Sequence, residues 1–285
     1  MNDVVGVHGI WQQQRGRRQL LAAWRPAMAD GLERALGRSA AEPSLDIVFY
    51  GDLFLPGIRN DTKSVAPDHD MLADLTDDEV ADLAAAADQL LTSNDVAAVT
   101  EPKGYTRVPQ PLPRLLAALD RRFGFAAGVL YLGEVRQVRR YLCSPEVKDV
   151  VDSRVAHTMA GGPRILIGHS LGSVVAFEYV RQHPEQSLDL LLTLGSPLAL
   201  RMIRSHMPDP AYGAANGKPP NVATWVNIRD PRDPVACAGG LEPWWAAVED
   251  HEVDNQSDAH SVERYLGKKA TGEALLRAVP ALGTP

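Results

Sequence analysis

The run Gly168-His169-Ser170-Leu171-Gly172 sets a hydroxyl between two glycines. It follows the apolar stretch Arg164-Ile165-Leu166-Ile167 and precedes Ser173-Val174-Val175-Ala176-Phe177-Glu178-Tyr179-Val180, which reads as a helix. A strand, a sharp Gly-x-Ser-x-Gly turn and a helix make a nucleophile elbow. A serine hydroxyl is a poor nucleophile, so it must stand clear of the sheet where a base can take its proton. The turn that does this is tight, and Gly168 and Gly172 keep Cβ atoms out of it. The bland alternative is an ordinary glycine-rich β–α turn, which the flanking strand and helix disfavour.

Neutral imidazole is the base best suited to such a hydroxyl near pH 7, and the chain has eight histidines. His260 has the best position, after the last candidate strand and before a helix starting near Ser261. His251 lies in Val248-Glu249-Asp250-His251-Glu252-Val253, which reads as a strand or its edge and leaves the ring less free. His169 adjoins Ser170 but should point elsewhere. His183, before Pro184 at a helix end, reads as a surface residue.

At these residues the chain resembles the α/β-hydrolase family, and further stretches resemble it in order. Asp3-Val4-Val5-Gly6-Val7-His8-Gly9-Ile10-Trp11 is similar to the strand and oxyanion loop. Leu190-Leu191-Leu192-Thr193-Leu194-Gly195-Ser196-Pro197-Leu198 resembles the strand after the elbow in lipase-like members. Thr224-Trp225-Val226-Asn227-Ile228-Arg229-Asp230-Pro231-Arg232-Asp233-Pro234-Val235 resembles the strand and loop of the family's acid. Asp258-Ala259-His260-Ser261-Val262-Glu263-Arg264-Tyr265 resembles the loop carrying its histidine. The resemblance covers residues 1–52 and 160–285.

The resemblance implies an α/β-hydrolase fold, a mostly parallel sheet flanked by helices, with a Ser-His-Asp triad of Ser170, Asp233 and His260 in the family's chain order. Asp233 matches the family's acid pattern better than Asp230, which would shape the turn as an Asx residue. The carboxylate fixes the imidazole tautomer and stabilises the imidazolium. For the oxyanion hole one donor is the amide of Leu171, at the start of the following helix. The other is Ile10 or Trp11, in a loop where Gly9 permits close backbone approach. His8 is expected to be structural, bonding the backbone. The implied activity is a serine esterase acting through an acyl-enzyme, most similar to lipase-like esterases and the inositol-deacylase-like branch. A thioesterase, a lactonase or an acyl-transferring cyclase would use the same triad. A binding module that kept the fold without turnover is the alternative from another class.

The elements that must position these residues alternate between strand and helix patterns, as a parallel sheet covered on both faces requires. Val4–Val7 is the first strand. Leu20, Leu21, Trp24, Met28, Leu32 and Leu36 recur at helical spacing up to Gly37, with Pro26 predicted to kink that helix or start a second. Leu45-Asp46-Ile47-Val48-Phe49-Tyr50 is the next strand. Residues 53–159 show no strand pattern and read as a helical insertion, a cap over the site. In it, Thr76-Asp77-Asp78-Glu79 is a capping box, and helices are predicted over 114–123 and 129–142. Residues 208–220 read as a surface loop. Arg136, Arg139 and Arg140 could hold a substrate acid group or form a solvated helix face. Trp244-Trp245 could line a pocket or belong to the core.

With 285 residues, 45% of them hydrophobic, one large α/β domain with an insertion is affordable. The net charge of −7 argues against nucleic acid and anionic membranes. Cys143 and Cys237 are far apart and read as unpaired thiols of a reducing compartment. No metal spacing, P-loop or cofactor motif is present, so no cofactor is expected. No apolar run reaches membrane-spanning length, and Met1-Asn2-Asp3-Val4 enters a strand with no leader pattern, so a cytoplasmic protein is expected. The expected partner is a small acyl ester or thioester. Substrate identity and oligomeric state are not readable from the sequence.

Overall fold

The structure, a computed structural model, describes residues 3–54, 75–100, 105 and 108–284. Parts of the expected 53–159 insertion, residues 55–74, 101–104 and 106–107, lie outside the described residues, as do residues 1, 2 and 285.

Six strands form one sheet in the order β2-β1-β3-β4-β5-β6. They are β1 Val4–Val7, β2 Leu45–Val48, β3 Ile165–His169, β4 Leu188–Leu194, β5 Val222–Arg229 and β6 Val248–Glu252. Every adjacent pair is parallel. Successive side chains of a strand point to opposite faces. Val4, Ile165, Ile167, Leu190 and Leu192 accordingly join one core cluster, and Val5, Val7, Leu166 and Leu191 join another. Both faces are dry, which is why these strands read as continuous apolar runs rather than alternating ones.

One face is covered by α1 (Arg17–Leu36), α9 (Val262–Leu266) and α10 (Lys269–Ala278). The α1 helix runs through Pro26 as a single element and stops at Gly37, whose φ of 69° is left-handed. Trp24 and Met28 on either side of Pro26 are buried, so packing holds the helix together across a residue that lacks an amide donor. The opposite face is covered by α6 (Pro145–Met159) and α7 (Leu171–Gln182). Although α6 falls inside residues 53–159, Val151, Val155 and Met159 pack with Val5, Val7 and Val48 of the sheet. It is a crossover helix returning the chain to β3.

The other helices between β2 and β3 are α2 (Asp77–Leu90), α3 (Ser93–Ala97), α4 (Leu112–Phe123) and α5 (Ala127–Cys143). The α2 capping box forms as expected: Thr76 Oγ1 accepts from the Glu79 N–H at 3.2 Å, and Glu79 Oε2 accepts from the Thr76 N–H at 2.9 Å. Of these, α2, α4 and α5 share a core with α7 through Leu83, Leu116, Leu119, Leu132 and Val135. A short α8 (Arg201–His206) follows β4. Residues 208–220 form an irregular connection with one 3₁₀ turn at Ala214–Asn216. No helix among the described residues is long and apolar enough to cross a membrane.

Candidate functional site

In a parallel sheet all carboxyl ends of the strands share one edge, so the loops leaving them meet. The loop after β1 carries His8 to Trp11, the turn after β3 carries Ser170, the loop after β5 carries Asp233, and the segment after β6 carries His260.

Ser170 is fully buried, with φ 56° and ψ −130°. Such a backbone costs on the order of 1–3 kcal/mol unless the surroundings enforce it. Here they do: the Ser170 N–H donates to Leu194 O at 3.0 Å, and the Ser173 N–H donates to Ser170 O at 2.9 Å. A Cβ on Gly172 would lie 2.1 Å from Val7 O, and one on Gly168 would lie 2.5 Å from Ser173 Cα. Gly9 comes equally close on the other side, where a Cβ would sit 2.5 Å from Ser170 Cβ. The expected small residues are those that let β1, β3 and α7 close around the serine. Trp11, in the facing loop, also has a left-handed φ of 61°.

His260 Nδ1 lies 2.8 Å from both Oδ1 and Oδ2 of Asp233. Asp233 is fully buried and also accepts from Tyr265 Oη at 2.8 Å and from the Val235 N–H at 2.9 Å. Burial opposes charge on the imidazole, but the attraction and hydrogen bond of Asp233, with Glu134 and Asp258 adding to them, leave its pKa raised. With Nδ1–H donated to Asp233, Nε2 is the free nitrogen; it is buried and has no hydrogen-bond partner. Asp230 does not contact the imidazole. It accepts from the Arg232 N–H at 2.8 Å, an Asx turn, and from the Asn255 N–H at 2.5 Å.

The other expected residues are placed as follows. His8 is buried and stacked on Tyr50 at 4.1 Å. Its Nε2 accepts from the Tyr50 N–H at 3.2 Å and Nδ1 meets Gly9 O at 2.7 Å, so it braces the loop. Burial lowers its pKa to about 4, a neutral ring. His169 bonds His260 O through Nε2 at 3.0 Å rather than the Ser170 hydroxyl, which donates to Glu134. Burial, then the charge of His260, holds it well below the ordinary imidazole range. Ile10 is buried and Trp11 half-buried, and both line a cavity of about 180 Å³ with Gly9, His169, His260 and Glu263. His251 is exposed on the edge strand β6, and His183 pairs with Glu185 at 3.2 Å near the surface.

One residue at the centre of the site was not anticipated. Glu134, from α5, is 1% exposed, and its Oε2 accepts a short hydrogen bond from Ser170 Oγ. The Leu171 N–H also favours the charge on this carboxylate, whereas Oε1 has no hydrogen-bond partner. Burial is the largest influence on Glu134 and raises its pKa to about 7, against the opposing pull of His260 and Ser170. The signal lay in the periodicity. Tyr131, Glu134, Val135 and Val138 fall on one helical face, so a carboxylate stood in an apolar stripe.

The remaining candidates are structural. Arg136 bonds Glu79 at 3.0 Å and Arg139 pairs with Asp82 and Asp78, so these two fasten α5 to α2. Arg140 stacks on Phe54. Trp245 packs in the core 5.0 Å from Trp225, and the exposed Trp244 is covered by the Arg204 guanidinium at 3.4 Å. Cys143 and Cys237 are free thiols. Among the described residues no group of three or more His, Cys, Asp or Glu could hold a metal ion. No family model, curated protein or solved structure matches the chain.

Proposed function

We propose that the chain is a serine hydrolase of the α/β-hydrolase fold, cleaving carboxylic esters through an acyl-enzyme. The observation that carries this reading is the buried His260–Asp233 pair. It leaves Nε2 bare and not hydrogen-bonded to Ser170, whose hydroxyl, held in a strained turn, donates to Glu134 instead. Glu134 joins the two, since it binds the Ser170 hydroxyl and feels the charge of His260.

In this mechanism His260 Nε2 takes the Ser170 proton while Oγ bonds to the ester carbonyl carbon. Asp233 stabilises the imidazolium. The carbonyl oxygen becomes an oxyanion held by the Leu171 N–H and by the backbone N–H of Ile10 or Trp11. Breaking the C–O bond releases the alcohol, which leaves with the proton from His260. Water, deprotonated by His260, then attacks the acyl carbon and returns Ser170 to its starting form. A thioester or lactone would follow the same steps. The helices between β2 and α6 act as a cap in this reading, ending near Cys143 because α6 belongs to the sheet layer.

One observation favours a second reading, a binding module without turnover: the Ser170 hydroxyl is engaged by Glu134 and has no exposed surface. A fluorophosphonate probe separates the two. Labelling that disappears in Ser170→Ala, together with turnover in a panel of esters and thioesters of varied chain length, supports the hydrolase. An unlabelled wild type with no turnover supports the binding module.

A further inference from the structure

Resting on the hydrolase reading, we infer that Glu134 selects the acyl group. The site takes esters whose carbon next to the carbonyl bears a protonated amine, and the Glu134 carboxylate pairs with that ammonium.

The argument starts from where this carboxylate can go. Its helix is anchored by Tyr131, Leu132, Val135 and Val138, each no more than 1% exposed. The backbone at Glu134 therefore stays in place, and only the side chain can swing. When an ester docks on Ser170, its carbonyl oxygen needs the Leu171 N–H that now favours the Glu134 charge. At the same moment the Ser170 proton passes to His260, so Glu134 loses that hydrogen bond as well. Its Oε1 already lacks a partner. Above about pH 7, where Glu134 is ionised, a simple apolar acyl chain would leave a buried carboxylate with no donor beside a developing oxyanion, two like charges away from water.

No lysine or arginine among the described residues pairs with Glu134, and Arg136 and Arg139 of the same helix bond carboxylates of α2. On this inference the donor arrives with the substrate. In the acyl-enzyme, a substituent on the carbon next to the carbonyl is three bonds from Ser170 Oγ, the atom that Glu134 touches in the free protein. An ammonium there offers three donors, enough for both carboxylate oxygens, and its charge offsets the repulsion. A carboxylate in that position would be rejected by the same field. The bond changes are those of acylation and hydrolysis given above; the amine keeps its protons throughout.

The test compares the ethyl esters of alanine and isobutyric acid, which differ only by ammonium against methyl, with ethyl lactate as an uncharged donor. Each is run with wild type and Glu134→Gln, and Ser170 labelling by fluorophosphonate is followed in parallel. The expected result is a wild-type kcat/KM at least about tenfold higher for the alanine ester than for the other two. In Glu134→Gln the preference should disappear, with alanine-ester turnover falling and isobutyrate turnover rising. Equal gains for all three esters in Glu134→Gln would make Glu134 only a barrier and overturn the inference. So would lactate preferred over alanine, or labelling of Ser170 without alanine-ester turnover; in each of these cases the hydrolase reading stands. No labelling and no turnover would remove both.

Discussion

Asp233→Asn tests the acid and its histidine together. The wild-type carboxylate accepts Nδ1–H with both oxygens at 2.8 Å, so the imidazolium formed during attack faces a full negative charge. With charge centres roughly 4 Å apart and an effective dielectric of about 20, that attraction is worth about 4 kcal/mol. Its loss corresponds to a roughly thousandfold lower kcat. An amide adds a second penalty. If its NH₂ turns toward Nδ1, the imidazole must carry its proton on Nε2, the wrong tautomer to receive one from Ser170. If the NH₂ turns toward Tyr265, the Tyr265 hydroxyl, which already accepts from the Asp230 N–H at 2.9 Å, loses its acceptor. That leaves a buried O–H unpaired, costing about 1–3 kcal/mol of stability. Asp233 raises the His260 pKa, and the base works only when neutral. Activity should therefore rise with pH through the His260 pKa, and in Asp233→Asn this ascending limb should move to lower pH. The assay is kcat and kcat/KM against pH for wild type, Asp233→Asn and Asp230→Asn on the best ester. Asp230→Asn, which disturbs a turn and the pair of buried Asp230 with the exposed Arg232 but no contact to the imidazole, should slow the enzyme far less. Equal losses for the two variants, or an Asp233→Asn loss below about tenfold, would refute the reasoning.

Ser170→Ala should abolish fluorophosphonate labelling and lower ester turnover by on the order of 10³-fold or more, with the circular dichroism spectrum unchanged. His260→Ala should be nearly inactive in the same assay, while His251→Ala, altering an exposed edge-strand side chain, should stay near wild type; the reverse order would move the base. Gly172→Ala would place a methyl 2.1 Å from Val7 O, so it should lower stability in urea by at least about 1–3 kcal/mol and lower the melting temperature. Glu134 has a folded pKa of about 7 against an ordinary 4.5, so the native state holds a proton that the unfolded chain has released. Stability should then fall as pH rises from about 4.5 to about 7, by roughly 3 kcal/mol. Urea midpoints at pH 5 and pH 8 should show a loss in wild type that is largely missing in Glu134→Gln, and identical pH dependence in the two proteins would contradict a buried carboxyl titrating there.

Much of this architecture was legible because it is local. Apolar runs of strand length, the Thr76–Glu79 capping box and the Gly37 stop depend on neighbours a few residues apart, and all are found where their patterns stand. The tight turn at Ser170 was readable for the same reason, since Gly168 and Gly172 are the residues a close strand–helix junction requires. The Asx role of Asp230 was likewise local, being a contact two residues long. What crosses the fold was not readable in this way. Pro26 allowed a break in α1, and only packing on both sides of it decided for one helix. The α6 helix looked like one more element of a helical insertion until its apolar face met the sheet. Resemblance, not spacing, chose Asp233 over Asp230, and three-dimensional contact is what ties Asp233 to His260 across 27 residues. Glu134 is the sharpest case. Helical periodicity turns it inward but cannot say what it meets there, because that depends on how α5 lies across α7, and this crossing brings its carboxylate to Ser170 from 36 residues away.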